Sequence, residues 1–178
     1  MLNPAAGSPL TATFAEPNHA AERAAFSQQL AAEIERAARY GRDCSIALLD
    51  ISHLRQINEA FGREAGDRLI AELSLLLEQQ LRQSDCSFRY GGDEFVLLLP
   101  ETDFAAASIV LRRVGERAAR LWQALELPAE TKLQYGIASF PQDAQSPKPL
   151  FLVADSRLRE CKRPFVPCIH QHSASHDQ

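Results

Sequence analysis

An α+β fold, with a mixed and largely antiparallel central sheet flanked by helices, is predicted by three features of the sequence. Apolar residues change period along the chain in the order α-β-α-α-β-β-α-β-α. A Gly91-Gly92 pair separates two apolar runs, a strong signal for a tight antiparallel hairpin. Residues 44–51 form a near-continuous apolar run, as expected of a central strand covered on both faces. With 178 residues, of which 46% are hydrophobic and 24% charged, the chain suits one compact domain with a proper core.

The elements follow in order. Residues 1–19 are rich in Pro, Ala, Ser and Thr without sustained period, and read as a flexible arm. Over 20–40, Phe26, Leu30, Ile34 and Ala38 recur every four residues, an amphipathic helix ended near Gly41. The 44–51 strand leads to a short helix around 53–61, closed by Gly62, and to a second helix over 67–81 with Leu69, Ile70, Leu73, Leu76 and Leu77 on one side. Residues 86–90 and 94–99 form the hairpin arms, the second ended by Pro100. A helix over 103–125, with Thr102 or Asp103 as N-cap, a strand over 133–140 and a helix over 149–162 complete the domain. The domain is thus expected over 20–165, with a C-terminal tail over 166–178 whose His170, His172 and His176 read as a polar terminus rather than a metal site.

A formal net charge of −4 argues against bulk electrostatic binding of nucleic acid, yet leaves room for an anionic nucleotide screened by a metal ion. No apolar run approaches a membrane span and no signal-peptide layout opens the chain, so a cytoplasmic protein without membrane attachment is expected. Cys44, Cys86, Cys161 and Cys168 form no C-x-x-C pair and read as buried thiols, with a disulfide or zinc site not expected.

Chemistry concentrates at two acidic points. Asp50 ends an apolar strand, a costly place for a carboxylate unless a cation meets it or it caps the next helix. Asp93 and Glu94 sit at the hairpin turn, directly before a strongly apolar strand. Paired strand ends would bring Asp50 and Asp93 to one divalent ion, and hard oxygen ligands suit Mg²⁺ held together with substrate phosphates. Metal-assisted phosphoryl or nucleotidyl transfer needs such a site.

The run Arg89-Tyr90-Gly91-Gly92-Asp93-Glu94-Phe95 resembles the signature of GGDEF-family diguanylate cyclases at every position. Leu48-Leu49-Asp50-Ile51, Ile57-Asn58, Phe61-Gly62, Ala65-Gly66-Asp67 and Arg82-Gln83-Ser84-Asp85 follow the family's order and spacing, and Tyr135-Gly136-Ile137-Ala138, Ala154-Asp155 and Lys162 fit more loosely. The resemblance implies the palm-like nucleotidyl cyclase fold and condensation of two GTP into cyclic di-GMP and pyrophosphate. It implies Mg²⁺, with Mn²⁺ as a substitute, on Asp50, Asp93 and the Ile51 carbonyl, with Asp93 and Glu94 as catalytic carboxylates. Asn58 and Asp67 would read guanine, and the backbone N–H groups of His53 and Leu54 would hold phosphate oxygens. Arg55 and Lys162 would meet the triphosphate, and Arg63 stands where the family often has His. Arg82 and Asp85, with Arg113, match the inhibitory product site for cyclic di-GMP. Each domain would supply half an active site, so a homodimer is implied.

The sequence departs from the family in three places. The entry segment, usually D-x-L-T-x-L-x-N-R, is here Ala15 to Arg23 with almost none of it retained. The second acidic residue after the strand is Ser52. The usual K-x-x-G-R-N ending is Lys162-Arg163-Pro164-Phe165-Val166, without the basic residue expected at Val166. These losses favour an alternative, a catalytically weak domain that binds cyclic di-GMP or GTP as a regulatory module.

Overall fold

The structure, a computed structural model, describes residues 19–163. The expected arm, apart from His19, and the expected tail with its three histidines lie outside the described residues. The order is α1 (His19–Tyr40), β1 (Cys44–Ile51), α2 (Leu54–Phe61), α3 (Arg63–Gln80), β2 (Cys86–Arg89), β3 (Glu94–Pro100), α4 (Phe104–Ala124), β4 (Leu133–Phe140) and α5 (Pro147–Cys161). The four strands form one sheet in the order β2-β3-β1-β4, and every neighbouring pair is antiparallel.

Alternation along β1 explains both layers. Ala47, Leu49 and Ile51 point to a core shared with α2, α3 and α4, whereas Ile46 and Leu48 point to a core shared with α1 and α5. Each fully buried Leu, Ile or Phe contributes about 1.5–3 kcal/mol, so these stripes outweigh helix propensity in holding the layers together. The stripe of α1 ends on Ala37, not the expected Ala38, because a repeat of 3.6 drifts from a strict spacing of four. Asp103 is the N-cap of α4, accepting from Ala106 N at 2.7 Å.

Two boundaries move. α3 starts at Arg63 rather than Asp67, because Gly62, at φ 86°, ends α2 and opens α3 in a single residue. Asp67 therefore lies inside the helix and does not cap it. α5 begins at Pro147, where a proline at the first helical turn loses no hydrogen bond. The cysteine expectation holds at Cys44, a buried free thiol pushed up to about 12 by burial, while Cys86 is half-buried. It fails at Cys161, which is disulfide-bonded.

The last helix approaches the sheet unusually closely. A Cβ on Gly136 of β4 would lie 2.1 Å from the Ala154 carbonyl oxygen and 2.3 Å from the Leu158 nitrogen. The contact is fixed by Arg157, whose guanidinium forks onto Asp143 at 2.6 and 2.7 Å and also donates to the Ile137 carbonyl at 2.8 Å. Asp143 in turn accepts from Ser139 N at 2.9 Å. Backbone cannot give way as a flexible side chain would, so Gly136→Ala is expected to lose about 1–3 kcal/mol of stability, the range for overpacking. Urea denaturation checks this, and the same substitution at exposed Gly92, where a Cβ meets nothing within 4 Å, is the control.

Candidate functional site

The antiparallel register brings the acidic points together. Asp50, near the end of β1, is the Cα partner of Glu94 on β3 and of Gln134 on β4. Directly opposed residues share a face of the sheet, so Asp50, Glu94 and Gln134 lie on the side covered by α5. Glu94 rather than Asp93 is thus the direct neighbour of Asp50, and Asp93 stands half-buried in the turn one residue earlier.

That turn is built by its own backbone and one arginine. The N–H groups of Tyr90 and Gly91 both donate to the Glu94 carbonyl, at 2.8 and 3.1 Å. Arg89 donates from Nε and Nη2 to the Gly92 carbonyl at 3.2 and 2.8 Å. At Gly91 a Cβ would fall 2.8 Å from Glu94 Oε2, the far end of an exposed side chain that would have to swing aside. From outside, Arg23 of α1 donates to the Tyr90 carbonyl at 2.6 Å and lies 5.0 Å over its ring, which also meets Phe26 and Phe151.

Asp50 is only 8% exposed. Burial pushes its carboxyl above the ordinary range; a hydrogen bond from Lys162 and its charge pull it back, and the charges of Asp93 and Glu94 push it up again. The Lys162 ammonium, just past the end of α5, donates to Asp50 Oδ2 at 2.6 Å. Two residues read from the sequence as serving metal and triphosphate separately therefore touch. Gln134 Nε2 donates to the Cys161 carbonyl at 3.3 Å and ties this last turn of α5 to the sheet. Among the described residues no group of three or more His, Cys, Asp or Glu side chains forms a metal cage. Asp50 and Glu94 on paired strands, with Asp93 in the turn beside them, are hard oxygen donors, the ligand type that Mg²⁺ takes.

On the opposite flank, His53 adopts a left-handed conformation at φ 63° and starts α2, leaving Leu54 buried. The Asn58 side-chain oxygen is buried without a hydrogen-bond partner. It lies against Gly66 of α3, where a Cβ would fall 2.0 Å from it. Asp67, next to Gly66, is exposed on the helix surface, as is Arg63 four residues before it. Arg55 pairs with Glu59 one turn on, at 2.8 Å and almost fully exposed. Ser52, at the position of the missing acid, is a brace: its hydroxyl accepts from Lys132 N at 2.7 Å and donates to the Glu130 carbonyl at 3.2 Å.

The third predicted group lies around the end of α3. Asp85 closes its own turn, accepting from Arg82 N at 2.9 Å and from Ser84 Oγ at 3.3 Å, and makes no ion pair with the exposed Arg82 guanidinium. Arg113 of α4 reaches the same corner by donating to the Gln80 carbonyl at 2.8 Å. Sequence reasoning did not assign roles to Gln134, Arg23 or the fork of Arg89. Arg89 stood inside the quoted signature, and Gln134 was detectable as a polar residue on the Gly136–Ala138 face of an apolar strand.

Residues 19–164 match the family described as diguanylate cyclase, GGDEF domain. The diguanylate cyclase DgcP of Pseudomonas aeruginosa is 37% identical over 142 residues, which cover 79% of this chain and 21% of that protein. The chain spans about a fifth to a third of the length of the curated relatives it matches first. The crystal structure of the GGDEF domain of TpbB, also called YfiN, from Pseudomonas aeruginosa aligns at a TM-score of 0.68 and 28% identity, covering 79% of this chain and 89% of that one. A microbial GGDEF domain whose interaction with cyclic di-GMP has been determined aligns at 0.65 and 26%, covering 79% and 86%.

A raised pKa means that the fold binds the Asp50 proton more tightly than the unfolded chain does. Ionising Asp50 therefore removes stability as the pH climbs from the ordinary 3.8 through the folded pKa. Lys162 offsets that loss only while Asp50 is charged. Lys162→Met is expected to be near neutral at about pH 4 and destabilising at about pH 7, which thermal melts at the two values would show.

Proposed function

The chain belongs to the GGDEF family of diguanylate cyclase domains, and from that premise we propose that it condenses two GTP molecules into cyclic di-GMP and pyrophosphate. The observation that carries this reading is the pairing of Asp50 with Glu94 across adjacent strand ends, with Asp93 in the turn beside them. Asp50, Asp93 and the Ile51 carbonyl would hold Mg²⁺, or Mn²⁺ in its place. When bound, the ion supplies Lewis acidity, easing ionisation of the ribose 3′-hydroxyl and offsetting charge on the α-phosphate.

The protein's own groups do the rest. Glu94, exposed at the rim, would take the proton as the 3′-oxygen of one GTP attacks the α-phosphorus of the other and pyrophosphate leaves. Asn58 Oδ1 is an acceptor in search of a donor, and a guanine N–H would supply it, with Asp67 beside it accepting from the same edge. An unsatisfied buried acceptor costs about 1–3 kcal/mol, which base binding would recover. Backbone N–H groups at His53 and Leu54, at the positive end of α2, suit phosphate oxygens. Lys162 and the exposed Arg55 would meet the triphosphate. One domain presents one nucleotide, so the second must arrive on another copy, making the working species a homodimer.

We propose a second activity, binding of cyclic di-GMP as an inhibitor, supported by Arg82 and Asp85 just past the end of α3 and by Arg113 reaching the Gln80 carbonyl there. The guanidiniums would meet guanine acceptors and phosphate, and the carboxylate would meet guanine N–H donors.

Incubation of the protein with GTP and Mg²⁺ is expected to yield cyclic di-GMP and pyrophosphate, at a specific rate that rises with protein concentration. Chelation should stop it, and Glu94→Gln should lower kcat by about 10²–10⁴-fold. Absence of product at high protein concentration overturns the enzymatic reading. Calorimetry with cyclic di-GMP should show binding that Arg82→Ala weakens, and equal affinity in the variant removes the inhibitory site.

A further inference from the structure

Lys162 occupies one oxygen of the carboxylate proposed above to hold the metal ion. Its Nζ lies 2.6 Å from Asp50 Oδ2, on a carboxylate that is almost wholly buried and faces two further acidic residues. Its backbone is held firmly: its N–H donates to the Leu158 carbonyl at 3.1 Å, and the preceding carbonyl accepts from Gln134. The side chain itself is 37% exposed and lies at a helix end, so its four-carbon stem can swing outward without disturbing α5.

We infer that Lys162 is a resident counter-ion, displaced from Asp50 when the metal binds and taken up by the triphosphate of the incoming nucleotide. This rests on the metal reading of the site given above. A divalent ion that takes Oδ2 on its own breaks the Asp50–Lys162 contact and strands an ammonium. An ion arriving with a triphosphate does not, because the freed ammonium gains phosphate oxygens in place of the carboxylate. The exchange therefore couples the two ligands: metal and nucleotide each bind better together than separately, and by linkage the coupling is reciprocal. In the empty state the same lysine keeps a buried carboxylate neutralised, so the fold does not depend on metal.

The test uses Mn²⁺ as probe, with the free ion read by electron paramagnetic resonance, and three proteins: wild type, Lys162→Met and Asp50→Asn. Without nucleotide, Lys162→Met is expected to bind Mn²⁺ about tenfold more tightly than wild type, within the usual range of such couplings. An α,β-methylene analogue of GTP should then tighten Mn²⁺ binding to wild type by more than it does to Lys162→Met. The chain has three lysines, Lys132, Lys148 and Lys162, so lysine-selective ¹³Cε labelling gives a spectrum in which Mg²⁺ should move the Lys162 signal toward its position in Asp50→Asn.

The failures are separable. If Asp50→Asn keeps full Mn²⁺ affinity, the metal site itself is wrong. If Asp50→Asn loses Mn²⁺ but Lys162→Met binds no more tightly than wild type, the metal site stands and the counter-ion exchange is overturned. If Lys162→Met does bind more tightly but saturating Mg²⁺ leaves the Lys162 signal unmoved, the effect is through-space repulsion and the exchange is again overturned.

Discussion

A carboxylate at the end of a fully buried strand cannot stand alone, and much of this molecule is arranged around that constraint. β1 lies between β3 and β4 and is buried along its whole length, so Asp50 enters the interior with it. Removing a lone charged carboxylate from water is far more costly than any single packing gain can offset. The cation that meets it comes from the far end of the domain, at the close of α5, 112 residues away in sequence. That meeting requires α5 to lie almost on the backbone of β4, which requires a residue without a side chain at Gly136. A packing detail on one strand thus governs an electrostatic one on its neighbour.

Much of the fold was legible because its signals are local. The stripe on α1, the apolar run of β1 and the Gly91-Gly92 turn each declare their element within a few residues. What failed to show locally was a boundary set by one backbone angle: Gly62 serves two helices at once, and nothing in Arg63 to Gly66 announces that they have already entered α3. Ala37 against Ala38 is a smaller instance of the same kind, a matter of accumulated helical drift.

The site was legible differently. The spacing of acidic and glycine residues named its members, but not their partners. That Glu94 faces Asp50 directly is a consequence of strand register, which depends on the whole hairpin and cannot be counted from sequence separation. That Lys162 rests on Asp50 depends on long-range packing of α5. Ser52 gives the opposite lesson: where the resemblance led one to expect an acid, the structure uses a hydroxyl to stitch the chain before β4 to the end of β1. The position is occupied by architecture, not by chemistry.

Gly66 shows what such arrangements cost. Inside α3 an alanine would be the better helix former by about 1 kcal/mol. The amide of Asn58 lies so near the helix backbone that even a methyl group would evict it. The domain therefore carries a permanent deficit in helical stability at this residue, in exchange for a polar group held against bare main chain. Efforts to make the protein more heat-resistant by filling glycines in helices would reach Gly66 early, and any gain in helix propensity there would be set against the displaced Asn58 amide and the closing of the recess where its unpartnered oxygen waits.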